Sequence, residues 1–174
     1  MSDQKLLIVP RGLTGAGMPE TMALDVSMIY RAEARLLEVS RTTPANWLVL
    51  ASDFNLGYAK AVKYKALLRS ELGLANKAAD MLKRDMTINM LVPFLKETGL
   101  RDSLDTREAL YLSSEAYVRA MDRIGALEAA VELLDAKAKA FVNAYQTVKK
   151  IADEKERTWF RGDAHNHEEG EDVT

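Results

Sequence analysis

The stretch ASDFNLGYAKAVKYKALLRSELGLANKAADMLKRDM, residues 51–86, decides the fold. Ala51, Phe54, Tyr58, Ala61, Lys65, Leu68, Leu72, Ala75, Ala79, Leu82 and Met86 alternate in steps of three and four, and Lys65 is the one charged member. Such steps keep side chains on one face of a helix. Sustained over about five heptads, they make a coiled-coil-like seam. Gly57 and Gly73 interrupt the row at roughly 1 kcal/mol each against Ala, which leaves a kink or a break open. Upstream, Thr43 is a cap candidate and Pro44 suits the first turn, where its missing N–H costs nothing.

Working outward, residues from about Thr21 to Ser40 carry a broad apolar stripe and predict a first helix. Met1–Glu20 holds Pro10, Gly12, Gly15, Gly17 and Pro19 and reads as a flexible segment, with a short extended piece at Leu6–Val9. Thr87–Thr106 is irregular around a short helix at Asn89–Thr98. Asp105 or Thr106 can cap the next turn, and Ser113 or Ser114 the last long helix. On that helix Ile124, Leu127, Val131, Leu134, Ala138, Phe141, Tyr145 and Val148 form one stripe. Ala126, Ala129, Ala130, Leu133, Ala136, Ala140 and Ala144 form another. Two stripes call for neighbours on more than one side. The fold class that follows is all-α: a bundle of long amphipathic helices with coiled-coil-like seams, assembled as a homo-oligomer. Core packing alone also accounts for any single seam residue.

The 174 residues, nearly half apolar, suffice for one domain with tails: a body over 21–160 and an acidic disordered tail over 161–174. The net charge of −2 conceals an asymmetry. Gly162–Thr174 carries −5, leaving +3 for the rest. With no cysteine, disulfides and thiolate metal sites are excluded. The apolar run Leu6–Pro10 is too short for a signal-peptide core, and no run approaches the ~20 residues that span a bilayer. A cytoplasmic protein without membrane partners is expected.

Catalytic signatures are scarce. His165 and His167 are the only histidines and belong to the acidic tail. There is no Glu-x-x-His pair and no phosphate-binding glycine loop between strand and helix. A non-enzymatic protein without a cofactor is expected. The basic residues are more informative. Tyr58–Arg84 carries seven Lys and Arg against Glu71 and Asp80, a local +5. Lys60 and Lys63 share one helix face, and Lys65 and Arg69 share a second. Tyr58 and Tyr64 lie among them. Cations that track phosphates beside rings that stack on bases suit single-stranded nucleic acid. A solvated helix face with buried tyrosines gives the same pattern. A lysine within a seam must snorkel, find an acid or face a polar opening. Lys149, Lys150, Lys155, Arg157 and Arg161 form a second basic group, which equally suits a helix C-terminus.

VKYKALL, Val62–Leu68, resembles the short V-x-L-K-A-R-L segment of the UvsY family of phage recombination mediators. Val62, Lys65, Ala66 and Leu68 fall on its Val, Lys, Ala and final Leu, while Tyr64 and Leu67 depart from its Leu and Arg. The similarity in layout spans roughly Asp25 to Ile151. The resemblance implies a helical homo-oligomer that binds single-stranded DNA, contacts a single-strand-binding protein and helps to load a RecA-type recombinase. Lys60, Lys63, Lys65 and Arg69 would neutralise phosphates, and Tyr58 or Tyr64 would stack. Two other classes stay open: a phage or bacterial scaffold or assembly protein that binds other proteins through its helices, and a regulator acting through the acidic tail.

Overall fold

A computed structural model describes residues 4–13, 17–43 and 45–168, with side chains as far as 157. In chain order it has strands β1 (Leu6–Pro10) and β2 (Thr21–Asp25), helix α1 (Ser27–Arg35), a 3₁₀ segment (Leu36–Arg41), and helices α2 (Trp47–Asn89), α3 (Leu91–Thr98), α4 (Leu104–Leu112) and α5 (Glu115–Glu168). The chain is mostly helical, as its composition predicts, but a two-stranded sheet accompanies the helices.

That sheet corrects the first predicted helix, which begins at Ser27 rather than Thr21. Met22 and Leu24 turn inward while Thr21 and Ala23 stay exposed. This period of two satisfies the same apolar residues as a helical stripe. Backbone bonds Arg11 N–H to Glu20 O and Val26 N–H to Lys5 O, both 2.9 Å, flank the ladder and make it antiparallel. The extended piece expected at Leu6–Val9 is β1, within the segment read as flexible. The helix ends near Arg35, and the chain then tightens into the 3₁₀ segment.

By internal contacts the chain divides into two units, Met1–Lys5 with Asp25–Lys63 and Leu134–Thr174, and Leu6–Leu24 with Tyr64–Leu133. In the first unit Val26, Ile29, Ala32, Leu50, Phe54, Ala61, Phe141 and Val148 are buried. The Phe54 and Phe141 rings stack at 6.5 Å between centroids, and a Cβ on Gly57 would lie only 2.5 Å from Ala32 Cβ. Close packing of three helices therefore selects glycine there. Asp53, 4 % exposed, accepts from Arg31 at 3.0 Å and lies 3.3 Å from Arg35, which ties α1 to α2. Glu33 pairs with Lys137, and the Lys155 ammonium donates to the Thr42 carbonyl.

In the second unit Val9, Leu24, Tyr64, Leu68, Ala75, Ala79, Met86, Leu110, Tyr117, Ile124 and Leu127 are buried. The Tyr111 hydroxyl meets Thr87 Oγ1 at 2.9 Å, and its ring lies 5.6 Å from that of Tyr117. Gly12 seats the loop after β1 on α2. Its N–H donates to Glu71 Oε2 at 2.7 Å, and a Cβ there would fall 1.9 Å from the Glu71 carbonyl oxygen.

Helix boundaries follow local chemistry. α2 starts at Trp47, later than the Thr43 cap predicts: Ala45 and Asn46 are a turn, and the Asn46 side chain accepts the Thr43 N–H; Pro44 lies outside the described residues. It then runs unbroken through Gly57 and Gly73. Ser103 caps α4, accepting the Thr106 N–H, in place of the predicted Asp105 or Thr106. Ser114 caps α5 through the Tyr117 N–H, and Glu115 follows in the first turn. Gly99, at φ 69°, closes α3 in a conformation that disfavours a Cβ.

The buried face of α2 differs from the predicted seam by one residue in its first half. Leu50, Gly57 and Tyr64 take the inward positions beside Phe54, Ala61 and Leu68. Ala51 is also buried, but Tyr58 is exposed and Lys65 only half-buried. A bare glycine admits close packing and Tyr64 brings an apolar ring, whereas a lysine at the same depth must desolvate its ammonium. The second half keeps Ala75, Ala79 and Met86 as predicted. On α5 the first stripe is buried at Ile124, Leu127, Leu134, Ala138, Phe141 and Val148. Of the Ala-rich stripe, Ala130 and Ala144 are buried, while Ala126, Ala129, Leu133 and Ala136 are exposed.

Candidate nucleic-acid interface

All six residues singled out in the sequence lie on α2, and its unbroken periodicity fixes their order around the axis. Lys60 and Lys63 fall on one side of the buried row; Tyr58, Lys65 and Arg69 fall on the other. Lys60 and Lys63 belong to the first unit, with the exposed Ala59 and Val62 beside them, and Lys65 and Arg69 belong to the second, with the exposed Ala66 and Ser70. The two predicted cation pairs thus fall one in each unit, not in a single cluster.

The six differ in availability. Lys63 and Arg69 are exposed, and among the described residues they make no hydrogen bond or ion pair. Lys60 is half-buried and near Asp25. The Ser27 side chain and backbone N–H, the latter at 3.0 Å, hold the Asp25 carboxyl below its ordinary range, and the Lys60 charge lowers it further. Lys65 is half-buried with an interaction of its own inside the chain. Tyr58 is 40 % exposed, so its ring is open to a base, whereas Tyr64, at 9 %, belongs to the core. Amphipathic periodicity alone separates these tyrosines only once the inward register is known.

The electrostatics of this part of α2 depend on Glu71, the one acid in Tyr58–Gly73. It is half-buried and its carboxylate receives the Gly12 N–H. Lys77 is exposed. Lys83 faces the Tyr117 ring at 5.6 Å, a cation–π arrangement that draws it away from solvent partners.

Comparison with family models, curated proteins and solved structures gives no match to this chain.

In the first unit, the second basic group is interleaved with acids. Lys149, Lys150 and Arg157 line a shallow depression with Asp153 and Glu154, Lys150 lies 3.9 Å from Glu154, and Lys155 is spent on Thr42. It lacks the uncompensated character of the α2 face. Arg161, His165, His167 and the rest of the acidic tail lie outside the described side chains; the α5 backbone continues to Glu168. No group of three or more His, Asp or Glu is placed to hold a metal among the described residues. Among these residues too, no helix is long and apolar enough to cross a membrane.

Proposed function

We propose that this protein is a non-enzymatic mediator that holds single-stranded DNA on an oligomeric helical scaffold and helps to load a RecA-type recombinase. One observation carries the DNA-binding part. Lys63 of the first unit and Arg69 of the second are exposed on α2, each without a hydrogen-bond or ion-pair partner among the described residues. Uncompensated cations on a smooth rod track a phosphate backbone, and Tyr58 offers a ring to a base. Lys60 and Lys65 add charge from the flanks. The recombinase and the single-strand-binding protein enter through the resemblance at Val62–Leu68.

Anisotropy titrations of single- and double-stranded oligonucleotides at several salt concentrations test this reading. On single strands each phosphate contact contributes about −0.7 to the slope of log K against log salt. Lys63→Ala with Arg69→Ala therefore flattens the slope by about 1.4 per protomer engaged. An unchanged slope with the helices intact would remove these residues from the interface.

A second reading, an assembly protein that binds other proteins, is favoured by the exposed row Ala126, Ala129 and Leu133 on α5. Stable oligomers with no affinity for DNA would select it.

A further inference from the structure

β1 is apolar on both faces but covered on one. Val9 is buried and Leu7 half-buried, whereas Leu6 and Ile8 are 51 % and 59 % exposed. An antiparallel sheet with one wet face alternates apolar with polar residues. β2 comes closer to that pattern, with Thr21 and Ala23 outward beside the inward Met22 and Leu24. Leu6–Val9 has no polar residue at all.

The main chain of β1 is used on one side only. Among the described residues the sheet has two strands, so β1 has β2 along one edge and no strand along the other. The Arg11 N–H donates to the Glu20 carbonyl. Main-chain groups alternate in direction along an antiparallel strand, so those of Leu7 and Val9 face β2 as Arg11 does. Those of Leu6 and Ile8 face away, and among the described residues no backbone group outside the sheet bonds to them. Such an edge is a template for another strand, and proteins blunt it with charges, bulges or proline. Here Pro10 alone does so, at one end of the strand.

We infer that the outer edge of β1 pairs antiparallel with the same edge of a second copy, joining the two hairpins into one sheet. Charge and proline set the register. Centred on Leu7, the pairing places Leu6 opposite Ile8 of the second copy, and Ile8 opposite its Leu6. Each of these pairs exchanges both of its N–H···O bonds. Their side chains meet on the outward face with Cβ atoms about 5 Å apart. Lys5 then faces Val9 of the second copy. Centred on Ile8 instead, the pairing would oppose Lys5 to Arg11 and set Pro10, which has no N–H to give, against Leu6. The contact is isologous and closes at two copies. It deepens the assembly part of the proposed function, on which it rests, by naming one of its surfaces, and it needs no nucleic acid.

Light scattering on the full chain without nucleic acid, over a concentration series, tests the contact. The parent has at least the mass of a dimer. Leu6→Lys with Ile8→Lys opposes like charges across the edge and raises the dissociation constant about tenfold or more. Both positions are exposed, so the circular dichroism spectrum is unchanged. Thr21→Lys with Ala23→Lys, on the other strand of the same sheet, leaves the mass alone. The chain has no cysteine, so oxidation reads the register independently. A mixture of Leu6→Cys and Ile8→Cys chains forms the mixed disulfide faster than either forms with itself, because facing residues lie closer than diagonal ones. A parent that is monomeric at every concentration, a β1 lysine variant that associates as tightly as the parent, or mass lost through the β2 variant instead overturns the inference. So do like disulfides that form as fast as the mixed one. A monomer that binds DNA sinks this contact alone; a dimer that depends on β1 and has no DNA affinity sinks the DNA reading alone.

Discussion

Gly57→Ala is the substitution that tests the packing of the first unit most sharply. Alanine is better than glycine in a helix by about 1 kcal/mol, so propensity alone predicts stabilisation. The structure predicts the opposite. The new methyl would lie 2.5 Å from Ala32 Cβ and 3.1 Å from the Phe141 ring. Ala32 and Phe141 are both fully buried, and the alanine methyl has no rotamer by which to retreat. The backbone of α1 or α2 must move, and overpacking of this kind costs about 1–3 kcal/mol and occasionally more. The upper part of that range prevails here because the overlap with Ala32 approaches 1 Å, giving a net loss of about 2 kcal/mol after the propensity gain. Urea unfolding at fixed protein concentration reads this as a lower midpoint with the slope unchanged. Ala32→Gly in the same chain should recover part of the loss, a coupling of the two sites that separate substitutions do not show. A Gly57→Ala protein as stable as the parent, or more so, would refute the three-helix packing described here.

Phe141→Ala removes the ring stacked on Phe54 and should cost about 3–5 kcal/mol by the same assay. Gly12→Ala should undock the loop after β1, because its Cβ would fall 1.9 Å from the Glu71 carbonyl oxygen; faster amide exchange at Arg11–Leu13 would show it. The Asp25 carboxyl is held below its ordinary value of 3.8, chiefly by the Ser27 side chain and then by the Ser27 backbone N–H. A carboxyl lowered in the folded state stabilises it above the unfolded pKa, and the contribution is lost as pH falls through the folded value. Asp25→Asn should therefore show a shallower loss of stability below about pH 4 than the parent, followed by circular dichroism.

Long helices were legible because their signal is redundant: Phe54, Ala61, Leu68 and Ala75 recur every seven residues and are buried in α2, as Leu127, Leu134 and Phe141 are in α5. The inward register of α2 was less legible. Rows 50/57/64 and 51/58/65 differ by one position, and the choice turned on Gly57, whose close neighbours Ala32 and Phe141 are distant in sequence. The hairpin was missed for the same reason, since β2 is specified by pairing with β1 rather than by Thr21–Asp25 alone. At the candidate interface, charge density was visible in Lys60, Lys63, Lys65 and Arg69, but availability was not. Asp25 beside Lys60 and Gly12 against Glu71 are long-range contacts that no local pattern announces.

The most direct test of the central claim is lysine acetylation footprinting with and without a single-stranded oligonucleotide. Slower modification of Lys63, with Lys60 following and Lys96 and Lys139 unchanged, is the predicted result. Equal rates at Lys63 under saturating oligonucleotide, or protection confined to Lys149 and Lys150, would contradict it.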